Sequence, residues 1–263
     1  MKGILLSMLG IALCVSGAWA QQPDVSLLTV HYKFEHVRDT NNRDKPYTEH
    51  MVLLVGQRSG VYKSGEGGLQ EQVSTNPDGT TRRDTRRLGS PAEYYQYPNE
   101  KRLVRKDMIF QSEFLITDVL PVMDWRIKGD TANLGGLHCQ KATTHFKGRD
   151  YTAWFCPDVV VRVGPWKLNG LPGVIIEAHD SRNEVRFIFD GITKSGATSI
   201  LAPTKGVKTS EKEFDRLLET WHKDPQAFLN GMAQGSDRPA PKIDVKPGSG
   251  AVINNPIELP ETK

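Results

Sequence analysis

Cysteine is scarce in this chain, with three residues in 263, Cys14, Cys139 and Cys156, so at most one bridge can form within it. An excess of charge of one sign is also missing. The 34 Lys and Arg against 31 Asp and Glu leave a formal charge of +3, which argues against a dedicated nucleic-acid binder and against a strongly acidic surface. No G-x-S-x-G elbow, H-E-x-x-H or P-loop occurs, so the common nucleophile, zinc-protease and nucleotide chemistries lack their local geometry. Long apolar runs are absent as well. The one in residues 1–20 is short for a membrane span, and no transmembrane span is expected.

That first run has Lys2, an apolar middle through Ile4 to Leu13 and an Ala18-Trp19-Ala20 end, the pattern of a secretory signal peptide over residues 1–20 with cleavage before Gln21. Lipidation at Cys14 is not expected, because Leu13 before it is not small. Export to the periplasm or cell surface leaves Cys139 and Cys156 in an oxidising compartment, where a pair is a candidate disulfide.

From Ser26 to Arg38 apolar and polar residues alternate, the signature of a half-buried strand. Glu49 to Gln57 and Val61 to Lys63 read as a hairpin, and Gly65 to Gly89 as a long polar loop with one short strand near Gln70 to Val73. That loop carries a candidate anion patch at Arg82, Arg83, Arg86 and Arg87. With Lys101, Arg102, Arg105 and Lys106 nearby it suits an anionic lipid, glycan or protein, although charge runs are more often solvated surface. Tyr94 to Tyr97, Lys101 to Lys106 and Met108 to Thr117 read as further strands, and Trp125-Arg126-Ile127 begins another.

A two-residue turn at Lys147-Gly148 makes opposed residue numbers sum to 295, which sets Cys139 against Cys156 at a Cα separation of about 4.5 Å, inside the disulfide range. The same register opposes His145 to Asp150 and Lys141 to Trp154, and places Ala142, Phe146, Tyr151, Ala153 and Phe155 on the apolar face. It also excludes a metal held by His138, Cys139 and His145. The first two point to opposite faces of a strand, and Cys139 and His145 lie about 20 Å apart along it.

Gly170-Leu171-Pro172-Gly173 reads as a type II turn with Pro172 and Gly173 at its centre, feeding a strand from Val174. Trp166 and Leu168 beside it are the candidate recognition surface if they are exposed. Val174 to His179 and Glu184 to Asp190 form another hairpin, after which the sheet is expected to end. Ser210 and Glu213 make a capping box for a helix buried through Phe214, Leu217, Leu218 and Trp221, and Asp224-Pro225 starts a second, short helix. The predicted fold is mainly β, an antiparallel meander forming a strongly curved sheet, half-barrel or sandwich with a short C-terminal helical segment. Residues 21–232 make its single domain, and 233–263 a flexible Pro- and Gly-rich tail.

The order and spacing of Trp125-Arg126-Ile127, Gly136 to Thr144, Phe146 to Trp154 and Gly164 to Ile175 resemble the GLPGLI family of exported Bacteroidetes-type envelope proteins. Here the naming hexapeptide is Gly170-Leu171-Pro172-Gly173-Val174-Ile175, and Pro157 to Val163 departs from the family pattern. The resemblance implies an exported, mostly β envelope protein of a kind associated with surface uptake or peptidase systems. Together with the missing catalytic motifs and a curved sheet, the expectation is a non-catalytic envelope binding or interaction module with an envelope protein or a hydrophobic ligand as partner. A periplasmic carrier of lipid or another hydrophobic ligand, and a hydrolase built on a carboxylate pair, are the alternatives. No catalytic residue, metal or cofactor is expected.

Overall fold

The computed structural model describes residues 23–75, 80–234, 240–243 and 253–261, without the side chains of 69–72 and 82–87. The predicted signal peptide lies outside the described residues, as do 235–239, 244–252 and 262–263 of the predicted tail. The chain is mostly β. A large mixed sheet of twelve strands, not closed into a barrel, is followed by two helices.

The sheet is built from two meanders. The first runs through β2 (Leu28–His36), β3 (Tyr47–Val55) and β4 (Gly60–Ser64), then β7 (Glu93–Tyr97), β8 (Arg102–Ile109) and β9 (Ser112–Val119). The second comprises β10 (Arg126–Leu134), β11 (Leu137–Phe146), β12 (Arg149–Cys156), β13 (Val174–Asp180) and β14 (Val185–Lys194). They join where β14 pairs antiparallel with β2, so β9 and β10, successive in the chain, fall at opposite sides of the strand order. Ten strand spacings of a flat sheet would separate them by about 48 Å. The seven steps from Val119 to Arg126 reach no more than about 25 Å. The sheet must therefore curl, as expected.

Alternation dictates which side is buried. Val30 and Tyr32 on β2, Met51 and Leu53 on β3, Tyr151, Ala153 and Phe155 on β12, and Val185 and Phe187 on β14 share one core. The Tyr32 hydroxyl donates to the Ile175 carbonyl at 2.6 Å, satisfying the one polar atom this ring carries inward. A second core forms where Phe214, Phe228 and Leu229 meet Ile109, Phe114 and Ile116. The first comes from helix α1 (Glu211–Lys223), the other two from α2 (Pro225–Met232). The predicted cap is present, with the Ser210 hydroxyl accepting from the Glu213 amide.

The register between β11 and β12 is the predicted one, from Gln140 opposite Phe155 to Phe146 opposite Arg149. Cys139 and Cys156 form the disulfide, with Cα atoms 4.2 Å apart. Lys147 and Gly148 both take positive φ, 51° and 69°, the conformation a two-residue hairpin turn requires.

Three expectations are corrected. The stretch read as a loop is a separate antiparallel hairpin, β5 (Gly68–Thr75) with β6 (Thr81–Leu88); Gln, Thr and Arg satisfy backbone pairing without the apolar alternation that betrays a half-buried strand. Strands also continue past β14, in a separate two-stranded sheet and at the edge of the large one. β15 (Ser199–Ile200) pairs with β1 (Asp24–Val25), and β16 (Val207–Thr209) runs parallel to β9, covering that edge. Third, the break near Met108 falls later, at Phe110, whose φ of 55° turns the chain from β8 into β9.

Replacing both Cys139 and Cys156 by alanine removes the closure of a 17-residue separation and should lower unfolding free energy by about 3 kcal/mol. Urea denaturation checks this, with an unchanged midpoint as the contrary result.

Candidate functional site

Residues 157–173 between β12 and β13 carry no regular element, yet Val163, Trp166, Leu168 and Leu171 in them are at most 3% exposed. A turn forms over Pro165–Leu168, one step later than Gly164-Pro165 suggests, where the Leu168 amide donates to the Pro165 carbonyl at 3.0 Å and Trp166 takes a left-handed φ of 55°. This conformation turns the indole inward, 5.7 Å from Phe146 and 6.5 Å from Tyr151 between ring centroids. On the opposite flank stands Gln96 of β7, fully buried. Its amide donates to the carbonyls of Gly164 and Trp166 at 2.8 and 2.9 Å and accepts from the Gly164 amide at 3.2 Å. Asn169 donates to Pro121 and Lys167 carbonyls, while its own carbonyl accepts from the Trp125 indole at 2.7 Å. One short loop thus touches both β7 and the β11–β12 hairpin, and its buried polar groups find partners within the protein. It is a plug in the concave side of the sheet.

Trp166 and Leu168 are therefore corrected from a recognition surface to core, because the left-handed turn aims them inward. The type II turn is corrected too. The Gly173 amide donates to Leu171 at 2.8 Å, a three-residue γ-turn about Pro172, and the Val174 amide goes instead to the Val159 carbonyl at 3.1 Å. Positive φ falls on Gly170, at 93°, and on Gly173, at 159°, which is far from the value of about 80° in a type II turn. Gly173 is required for a further reason, since a Cβ there would lie 2.3 Å from the Cys156 carbonyl oxygen.

Two buried cations tie the plug and hairpin to the chain's end. Arg149, 2% exposed, uses its donors fully. Nη1 meets Asp180 at 2.7 Å and Glu184 at 3.1 Å, Nη2 meets the Asn255 side chain at 2.7 Å and the Pro256 carbonyl at 2.8 Å, and Nε meets the Ile257 carbonyl at 3.0 Å. Asp180 also accepts from the amides of Glu184 and Val185, closing the β13–β14 turn. Lys167, 4% exposed, bonds Glu211 of α1 and Glu258. Burial pulls its pKa down, but Glu258 and Glu211 outweigh burial and hold the ammonium above its ordinary value. Residues 253–261, expected within a flexible tail, are thus corrected to a docked strap, with Asn255 only 4% exposed. Its anchors are single side chains and carbonyls, which leave no periodic trace in sequence.

At the tip of the same hairpin the predicted His145–Asp150 pair is present at 2.7 Å, and Glu261 of the strap takes the other imidazole nitrogen at 2.9 Å. Asp150 first and then Glu261 raise the His145 pKa. An open groove of about 560 Å³ lies here, lined by Asp124, Arg126, Thr143, His145, Asp150 and Thr152 among others. It borders β10, which ends the strand order and is largely exposed.

Arg82, Arg83, Arg86 and Arg87 all lie on β6, but their side chains are outside the described residues. His138 and Cys139 occupy successive positions of β11. Among the described residues no group of three or more His, Cys, Asp or Glu is placed to hold a metal ion, and no helix is long and apolar enough to cross a membrane.

No family model matches the chain, and no curated protein matches it in sequence. Among solved structures, one of PNGF-II aligns with a TM-score of 0.52 and 10% identity over 73% of this chain and 32% of that chain. Another of PNGF-II, in a different space group, aligns with a TM-score of 0.46 and 10% identity over 72% and 32%. The chain thus spans about a third of the PNGF-II chain, and at this identity the likeness is one of fold.

Gly173→Ala should destabilise the protein by about 2–3 kcal/mol, through backbone overlap at Cys156; wild-type thermal stability would contradict the close approach. The strap adds a pH dependence through His36, 5% exposed, whose Nε2 donates to the Asn255 carbonyl at 2.8 Å. Burial first, then Arg38 and Arg149, push its pKa down to about 4 against the hydrogen bond to Asn255. Below the ordinary value near 6.5 the unfolded chain takes up a proton that the folded one refuses. This contribution is complete above pH 6.5 and lost as pH falls towards 4. His36→Gln, which keeps a donor without titrating, should flatten the urea midpoint between pH 6.5 and 4.5 relative to wild type.

Proposed function

We propose that this chain is an exported, non-catalytic envelope module that works by binding a protein partner, accessory to a surface uptake or peptidase system. The observation that carries this reading is the filled interior. The concave face is occupied by the chain's own plug, with Trp166 and Leu168 buried in it, so a partner has the outer surfaces to use. This favours protein interaction over carriage of a lipid or other hydrophobic ligand within the sheet.

The groove beside His145 and the exposed strand β10 supply such a surface. An end strand presents backbone donors and acceptors that an extended segment of a partner can pair, and Arg126, Asp150 and Thr152 beside it offer side-chain selectivity. Carboxylates that converge elsewhere, such as Asp180 with Glu184 and Glu211 with Glu258, are held by Arg149 and Lys167, which favours binding over a hydrolytic pair. The fold likeness to a segment making up 32% of a PNGF-II chain supports reading this architecture as a module that longer proteins carry beside other parts.

Photo-crosslinking residues placed at Arg126 and Thr152 should each yield a discrete protein adduct in the native envelope, and one at Lys223 on α1 should not. Export predicts a mature protein beginning at Gln21. Equal labelling from all three positions, or a lipid co-purifying at unit stoichiometry, would overturn the reading.

A further inference from the structure

On the face of the sheet opposite Val30 and Tyr32, two histidines from neighbouring strands meet. His31 of β2 stands opposite Val52 and His50 of β3 opposite Lys33, so the two imidazoles are diagonal neighbours. Nδ1 of His31 and Nε2 of His50 are 3.3 Å apart, and the rings are nearly parallel, at 13°. Both are partly buried and both are held from behind. The other nitrogen of His31 meets the Thr193 hydroxyl at 2.9 Å. The His50 ring lies against Gly65, where a Cβ would come within 2.3 Å of its Nδ1, so a residue without a side chain keeps that position open.

We infer that this pair is a binding site for one divalent cation of the zinc, copper and nickel class. Two imidazole nitrogens bound about 2.0–2.1 Å from one tetrahedral ion stand about 3.3–3.4 Å apart, so the facing nitrogens already have the separation that shared coordination needs. Without an ion, one N–H bridges them. On binding, the ring that carries the bridging proton shifts to its other tautomer, the proton passing through solvent from the facing nitrogen to the far one, so both imidazoles stay neutral, and small rotations of the two rings turn both lone pairs towards the metal. His31 then carries its remaining proton on Nε2 and donates it to Thr193, the outer hydrogen bond that fixes the tautomer and orientation of a metal-bound imidazole. Water fills the remaining positions. Lys33, which stands opposite His50, pairs with Glu35 at 2.7 Å. Two neutral nitrogen donors select against calcium and magnesium, which take oxygen. With two protein ligands the affinity belongs in the micromolar range, and it weakens with acidity because protons compete for the same nitrogens.

Calorimetric titration of the purified, untagged protein with zinc chloride at neutral pH tests this. One site should appear, lost at least tenfold in His31→Ala and in His50→Ala, weakened in Thr193→Val and unchanged in His145→Ala; calcium chloride should give no binding. Circular dichroism of each variant without zinc separates lost ligands from lost folding. Absence of binding up to about 1 mM zinc, or equal binding by wild type and folded His31→Ala and His50→Ala, would show that the pair is a hydrogen bond only.

Discussion

The connection from Val119 to Arg126 is too short to cross a flat sheet of this strand order, and most of the architecture follows from that tether. A sheet forced to curl without closing has a concave apolar face, which must be covered or left in water at roughly 25 cal/mol per Å² of exposed apolar surface. Here the cover is the chain itself. Residues 157–173 enter between β12 and β13, and Gln96 on one flank and Phe146 and Tyr151 on the other grip the same few residues.

Polar groups then fix what hydrophobic burial leaves free. Desolvating a guanidinium or an ammonium costs several kcal/mol, which excellent geometry and full hydrogen bonding must offset. Arg149 meets that condition through Asp180, Glu184, Asn255 and two backbone carbonyls, and Lys167 through Glu211 and Glu258. Each cation joins segments distant in sequence, so their combined effect is to set one arrangement of hairpin, plug, helix and strap. On the outer surface, His145, Arg126 and the exposed strand β10 lie together beside an open groove.

Much of this was legible in sequence wherever local rules dominate. The β11–β12 register followed from a two-residue turn and strict alternation, and with it the Cys139–Cys156 bridge and the His145–Asp150 pair. The Ser210 cap and the Phe214 to Trp221 stripe announced α1. The β5–β6 hairpin was hidden, because its Arg- and Thr-rich strands lack a period-2 apolar face. The plug misled in a different way. Gly170 to Gly173 reads as turn chemistry at any depth, and nothing in Trp166-Lys167-Leu168 says that the left-handed conformation of Trp166 points it inward. Gly173 was singled out for positive φ, which it has at 159°, but its close approach to the Cys156 carbonyl depends on a distant strand that turn chemistry does not show. The strap around Asn255 and the His31–His50 pair depend on contacts between distant segments or diagonal strands, which no local pattern records.

The measurement that bears most directly on this account is native-state amide hydrogen exchange of the plug. Gly164, Leu168, Gly170 and Gly173 donate to Gln96, Pro165, Arg162 and Leu171 respectively, and a filled interior requires them to exchange as slowly as the central strands β2 and β13. Exchange limited by global unfolding at these four amides is the predicted result. Exchange at the rate of an exposed loop, with β2 and β13 still protected, would contradict it by showing that the concave face opens without unfolding.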